Sequence, residues 1–209
     1  MPGTLITFCG LDGCGKTTMI KMLKERLEQR GCQVILTKQP TEVVRKSEIF
    51  RNFMDCENHA GFTYRALSLM AASDRVQHSN QVILPLLEEG KIVISDRYFY
   101  SCLANLRARG YKKDKWIYEI SKGIPEPELA FFLDIDVDSA ISRVRSRAEE
   151  KEKYIEMWMQ YALRDEYLRI CKKHNGIGID STGIAEETFD RVWDRVEAYL
   201  QRKERAVGG

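Results

Sequence analysis

The stretch GLDGCGKTT, residues 10–18, constrains the fold of this chain more than any other. It carries the spacing G-x-x-x-x-G-K-[ST], with Gly10, Gly15, Lys16 and Thr17 in the defining places. A backbone without Cβ atoms can curl until successive N–H groups converge on one anion. A helix that starts where the curl ends adds its positive dipole. In that geometry Lys16 reaches the β- and γ-phosphates of a nucleotide and the Thr17 hydroxyl ligates Mg²⁺, with Gly13 and Thr18 completing the cradle. The flanks suit this reading. TLITFC, residues 4–9, is an apolar, β-branched run with the character of a buried strand. MIKMLKERLEQRG, residues 19–31, sets Ile20, Leu23 and Leu27 at helical spacing and stops at Gly31.

The rest of the chain alternates in the same way. Strands are predicted over Cys32–Pro40, Lys91–Asp96, Pro127–Asp136 and Ile177–Asp180. Between them, the spacing predicts a helix from Thr41 and a long one over Thr63–Gly90, kinked at Pro85. A further helix ends at Gly110, two more follow Asp136 with a charged interruption between them, and an amphipathic helix follows Asp180. The last residues, ERAVGG, read as a frayed tail. Such alternation argues an α/β fold, a five-stranded parallel sheet with helices on both faces, whose ligands sit at the C-terminal strand ends. No repeat or linker divides residues 1–209, so a single domain is expected.

Composition narrows the partners. The chain is 44% hydrophobic and 31% charged, with a net charge of +2, which gives no electrostatic reason to expect nucleic acid. No apolar run reaches membrane-spanning length, and the N-terminus lacks the pattern of a signal peptide, so no membrane partner is expected. Cysteines at 9, 14, 32, 56, 102 and 171 form no C-x-x-C pair and no zinc spacing; reduced thiols in the cytoplasm are the expectation. Cys14 lies inside the phosphate loop, either as a small loop residue or as an oxidation-sensitive thiol.

Several charged residues fall near strand ends. VISDRY puts Asp96 and Arg97 there; the carboxylate can hold Mg²⁺ through water, and the guanidinium can bind a phosphate bidentately. A surface ion pair or a helix cap is the alternative. Asp12 is either a turn-former or a functional acid inside the loop. Arg75 follows the small-residue stretch MAAS, which lets a ligand approach its helix closely; helix packing is the other reading. Arg143, Arg145, Arg147, Lys151 and Lys153 make a basic run, either a solvated face or a mobile lid over about 143–155.

Taken in order, GLDGCGKTT, ASDRVQH, SDRYFYSCLA, PELAFFLDIDVDSAISRVRSR and GIGIDSTG resemble the thymidylate kinase family over about residues 4–200. The resemblance implies a P-loop NTPase three-layer fold with a short lid, ATP and Mg²⁺ as cofactors, dTMP as acceptor and a homodimer. It implies catalytic roles for Lys16, Arg97, Asp12, Arg143 and Arg147. It places Gly10, Gly13, Gly15, Lys16, Thr17, Thr18, Arg145 and Asp180 at ATP, and Thr17 and Asp96 at the metal. It assigns Asp12, Lys38, Arg75, Arg97, Ser101 and Asn105 to the acceptor. Some members carry an arginine where this chain has Gly13, and those without it supply lid arginines. The chain departs from the family pattern at Lys38-Gln39, at Ala71 where a base-stacking aromatic is usual, and at Asn105-Leu106. A kinase of the same architecture with another nucleotide, a nucleoside or a small metabolite as acceptor therefore stays open; a neutral hydroxyl acceptor would need a base such as Glu42. A GTP-dependent switch lacks its Asn-Lys-x-Asp signature, and the intact lysine, Mg²⁺ ligands and arginines argue against a nucleotide-binding protein without turnover.

Overall fold

Strand β1 (Thr4–Cys9) is buried along its whole length, as its unbroken apolar run requires. It is the centre of a sheet in the order β2-β3-β1-β4-β5, where β2 is Val34–Lys38, β3 Ile92–Asp96, β4 Leu129–Asp134 and β5 Ile177–Asp180. Every pairing is parallel. The computed structural model describes residues 3–55, 61–148 and 155–208. Cys56, Lys151, Lys153 and most of the expected lid, 149–154, lie outside the described residues. Phe8 of β1 stacks on Phe131 of β4 with ring centroids 5.1 Å apart, tying the two inner strands together.

Helix α1 (Lys16–Gln29) buries Met19, Ile20, Leu23 and Leu27, one stripe at helical spacing, and the chain leaves it through Gly31 at φ +78°. The helix expected from Thr41 is two: α2 (Glu42–Arg45) and α3 (Glu48–Asp55). Ser47 breaks it, because its hydroxyl donates to the Val44 carbonyl (2.6 Å) and competes with the helical ladder. The long helix over Thr63–Gly90 begins as α4 (Tyr64–His78), widens into a π-helical stretch at Ser79–Ile83, and ends as α5 (Leu84–Glu88). Pro85 sits in the first turn of α5; the wider turn ahead of it accommodates the missing N–H.

Helix α6 (Phe99–Ala108) follows β3, and a short α7 (Trp116–Ser121) precedes β4. Asp136 caps α8 (Val137–Arg145) by accepting from the Ser139 N–H at 2.8 Å. Helix α9 (Met157–Lys173) packs on α6, and the buried Glu166 carboxylate joins them by accepting from Arg107 Nε at 2.8 Å, with Arg169 and Lys112 also on it. The expected frayed tail is instead helical: α10 runs Ala185–Gly208. It lies across α1, where Trp193 carries the guanidinium groups of Arg26 and Arg30, each 5.2 Å from its ring. No helix among the described residues is long and apolar enough to cross a membrane.

Candidate active site

The loop leaving β1 holds Gly10, Gly13 and Gly15 at φ +141°, +85° and +95°. Gly13 is the tightest: a Cβ there would lie 2.1 Å from the Ala140 carbonyl oxygen of α8. No side chain fits, so this loop cannot carry an arginine at that position without displacing α8. Lys16 is buried, and its Nζ donates to the carbonyls of Leu11 (2.6 Å) and Gly10 (3.1 Å). The ammonium is thereby folded back over the loop, while Thr17 and Thr18 stay exposed at its rim.

In front of the loop is a cavity of about 450 Å³, walled by the strand ends, α3, α4, α6 and α9. Arg97 reaches into it from the residue after β3, at φ +68°. The guanidinium pairs with Asp12 and donates to Tyr167 Oη at 3.2 Å. Burial works against its charge, yet Asp12, Tyr167 and Asp96 together outweigh burial and hold Arg97 above the ordinary guanidinium value. Tyr167 Oη in turn donates to Ser101 Oγ at 3.1 Å. Burial pushes that phenol up to about 12, so it keeps its proton and can serve both partners.

Asp96 is shared between two jobs. Its Oδ2 pairs with Lys38 at 2.8 Å, whereas its Oδ1 is buried with no hydrogen-bond partner among the described residues. An orphaned carboxylate oxygen beside a phosphate loop fits a water-bridged divalent cation. Among the described residues there is no cluster of three or more His, Cys, Asp or Glu side chains, so a metal here would be held chiefly by nucleotide oxygens, with Thr17 and Asp96 in support.

Farther along the cavity, Arg75 is almost wholly buried on α4. Its Nη1 donates to the Ala71 carbonyl at 2.8 Å, and its Nε has no partner among the described residues. Asp74, its neighbour, is already engaged by the Thr41 N–H and hydroxyl. Asn105 donates to the Ser101 carbonyl (2.9 Å) and accepts from Arg109 (3.1 Å). Gln39 lies beneath, where its amide and Thr37 meet the two ring nitrogens of His78 at 3.0 and 2.9 Å. Glu42 is exposed, pairs with Lys46 and lines no cavity described here.

A second cavity of about 250 Å³ opens on the other side of the loop, against Thr18, Arg143, Arg147, Ser181 and Gly183. Arg143 donates to the carbonyls of Ser181 (3.1 Å) and Thr182 (3.3 Å), so its guanidinium stands with the 181–183 turn and not with Arg97. Arg147 lines both cavities. Arg145 is exposed on α8 and lines neither cavity. Asp180 caps its own turn by accepting from the Thr182 N–H and hydroxyl, and it too is off both walls. The structure thus brings together Gly10, Asp12, Lys16, Lys38, Asp96, Arg97, Ser101, Asn105 and Arg75 on one cavity and sets Arg143 apart. Tyr167, Arg109 and the α3 aromatics were not expected. Only Tyr167 had a signal, its helical phase with Leu163 and Ile170, and that phase marks burial and not contact with Arg97.

A parallel sheet of this order, with a glycine phosphate loop between two cavities and arginines facing it, defines a P-loop phosphotransferase. The comparisons with known proteins are more specific. The family model described as thymidylate kinase matches residues 8–192. The chain is 37% identical over 198 residues to the "Probable thymidylate kinase" of Pyrococcus abyssi, covering 92% of this chain and 95% of that one. It is 31% identical to the "Thymidylate kinase" of Halothermothrix orenii over 96% of this chain and 99% of that one. The solved thymidylate kinase of Candida albicans superimposes with a TM-score of 0.74 at 24% identity, over 95% of this chain and 93% of that chain, and so shares the fold. The chain belongs to the thymidylate kinase family.

Proposed function

We propose that this protein transfers the terminal phosphoryl group of ATP to the phosphate of dTMP, with Mg²⁺, as a single kinase domain over residues 1–209 whose lid lies at about 143–155. The observation that carries the reading is Arg97, fixed by Asp12 and Tyr167 between the phosphate loop and the cavity that holds Arg75. A guanidinium held there can touch the donor and the acceptor phosphates together. The acceptor oxygen is already anionic, so no strong base is needed; the position of Glu42, away from both cavities, agrees.

The chain's own groups then do three things. The loop N–H groups and Lys16 bind the β- and γ-phosphates and neutralise charge that spreads during transfer. Arg147, which lines both cavities, adds positive charge from the lid side, while Arg143 steadies the turn beside the donor base. Lys38 and Arg75 orient the acceptor at its phosphate and base ends. Thr17 and, through water, Asp96 would hold Mg²⁺, which would offset the charge of the donor phosphates.

Two further parts of the reading concern the setting. A homodimer through the outer face of α4 is supported by exposed Leu69, with Val82 on the π-helical stretch beyond it. A cytoplasmic location is supported by five free cysteines among the described residues. The direct test is product formation with ATP across the nucleoside monophosphates, ribo and deoxy. A strong dTMP preference is expected; turnover with no monophosphate at all overturns the reading.

A further inference from the structure

A nucleobase held in a cleft needs an apolar π face against its ring, because stacking supplies much of its binding free energy. The positions of α4 and α6 that face each other next to Arg75 offer none. The cavity wall is Ser68 and Ala71 on α4, with Cys102 and Asn105 facing them on α6. Among the described residues four aromatics line the cavity: Tyr167, Tyr64, Phe53 and Phe50. Tyr167 belongs to the phosphate end, where its hydroxyl bridges Arg97 and Ser101. Tyr64 has the Arg109 guanidinium over its ring at 4.0 Å and the Phe53 ring beside it at 5.6 Å. Phe53 is itself buried against Phe62 and Tyr64. Phe50 differs from all three. It is only partly buried, it lines the cavity, and its ring stacks on no other ring or cation among the described residues.

We infer that Phe50 is the side chain that stacks on the acceptor base, so that the platform comes from α3 and the small Ala71 leaves the α4 wall open; this rests on the kinase reading above. Phe50 and Phe53 are three positions apart on α3, one helical face turned to the cleft. Phe53 anchors that face on Tyr64 and Arg109, and Phe50 presents the remaining ring. Arg75, with its unpartnered Nε, then meets the edge of the base while Phe50 covers its plane.

The experiment is steady-state kinetics of the wild type, Phe50→Leu and Phe50→Tyr with dTMP and ATP varied in turn. Phe50→Leu should raise the KM for dTMP about tenfold, with kcat and the KM for ATP held within about twofold. Phe50→Tyr keeps the π face and should keep the wild-type KM. An unchanged dTMP KM in Phe50→Leu overturns the inference, and so does an equal rise in the KM for ATP or a fall in Tm beyond about 5 °C, which would mark a structural role. Wild-type protein inactive toward every monophosphate overturns the kinase reading itself; active wild type with an indifferent Phe50→Leu variant overturns this inference alone.

Discussion

The two ends of the cleft are built by different means. At the glycine-loop end the wall is made of backbone conformation and charge: three glycines at positive φ, a lysine held by two carbonyls, and an Arg97–Asp12 pair. At the far end the wall is made of side-chain faces from α3, α4 and α6, with Arg75 the one buried charge among the described residues there. A phosphate is the same in every nucleotide, so its cradle can be rigid and generic. A base has to be told from other bases, so its wall is made of replaceable side chains.

Four measurements put pressure on that contrast. Lys16→Met keeps the side-chain stem but removes the ammonium; it should lower kcat by about 10²- to 10³-fold while the protein stays folded by circular dichroism. Near-normal turnover would mean that charge at the loop does not matter. Gly13→Ala forces a Cβ against the Ala140 carbonyl at a positive φ. Strain and overpacking together should cost about 3 kcal/mol, seen as a Tm lower by about 6–12 °C. An unaltered melting curve would show that the loop is less rigid than its geometry.

The third measurement concerns Tyr167→Phe, which removes one hydroxyl from between Arg97 and Ser101. A drop in kcat of about 2- to 10-fold is expected, with the KM for ATP unchanged. If only the dTMP KM moves, Tyr167 serves the acceptor and not the arginine.

The smallest effect lies beneath the base end, at His78. Burial holds its imidazole below the ordinary histidine value, and its ring nitrogens face Gln39 and Thr37. The unfolded chain therefore takes up a proton near pH 6.5 that the folded protein refuses. This stabilisation is present above about pH 6.5 and is lost as pH falls below it, by at most about 1.4 kcal/mol per unit. Between pH 7 and 5, the Tm of the wild type should fall further than that of His78→Gln; parallel curves would remove His78 as the cause.

The same contrast explains what could be read in advance. The phosphate loop is continuous in sequence, and its glycines, Lys16 and Thr17 declare their geometry through spacing alone. Asp96 and Arg97 were legible because a strand end delivers them. The five strands and their parallel direction followed from the alternation of β-branched runs with helical periods, but their order across the sheet did not. The base end is assembled from residues near 50, 64, 71, 75, 105 and 109, which meet only once the helices pack. Nothing local distinguishes Phe50 from Phe53, and nothing in the basic run from Arg143 to Arg147 shows that the first turns to Ser181 while the last lines both cavities. Ser47 and the π-helical turn before Pro85 were also hidden: the first interrupts one helix and the second widens another, and neither disturbs the apolar rhythm.

The contact of Gly13 with the Ala140 carbonyl has a mechanical consequence. The phosphate loop and the middle of α8 are keyed together like a tooth in its socket, so neither can shift alone. Beyond that key α8 runs only to Arg145, and the Ser146 hydroxyl turns back onto the Arg143 carbonyl at 2.8 Å. A substitution that moves either one must therefore carry the other with it.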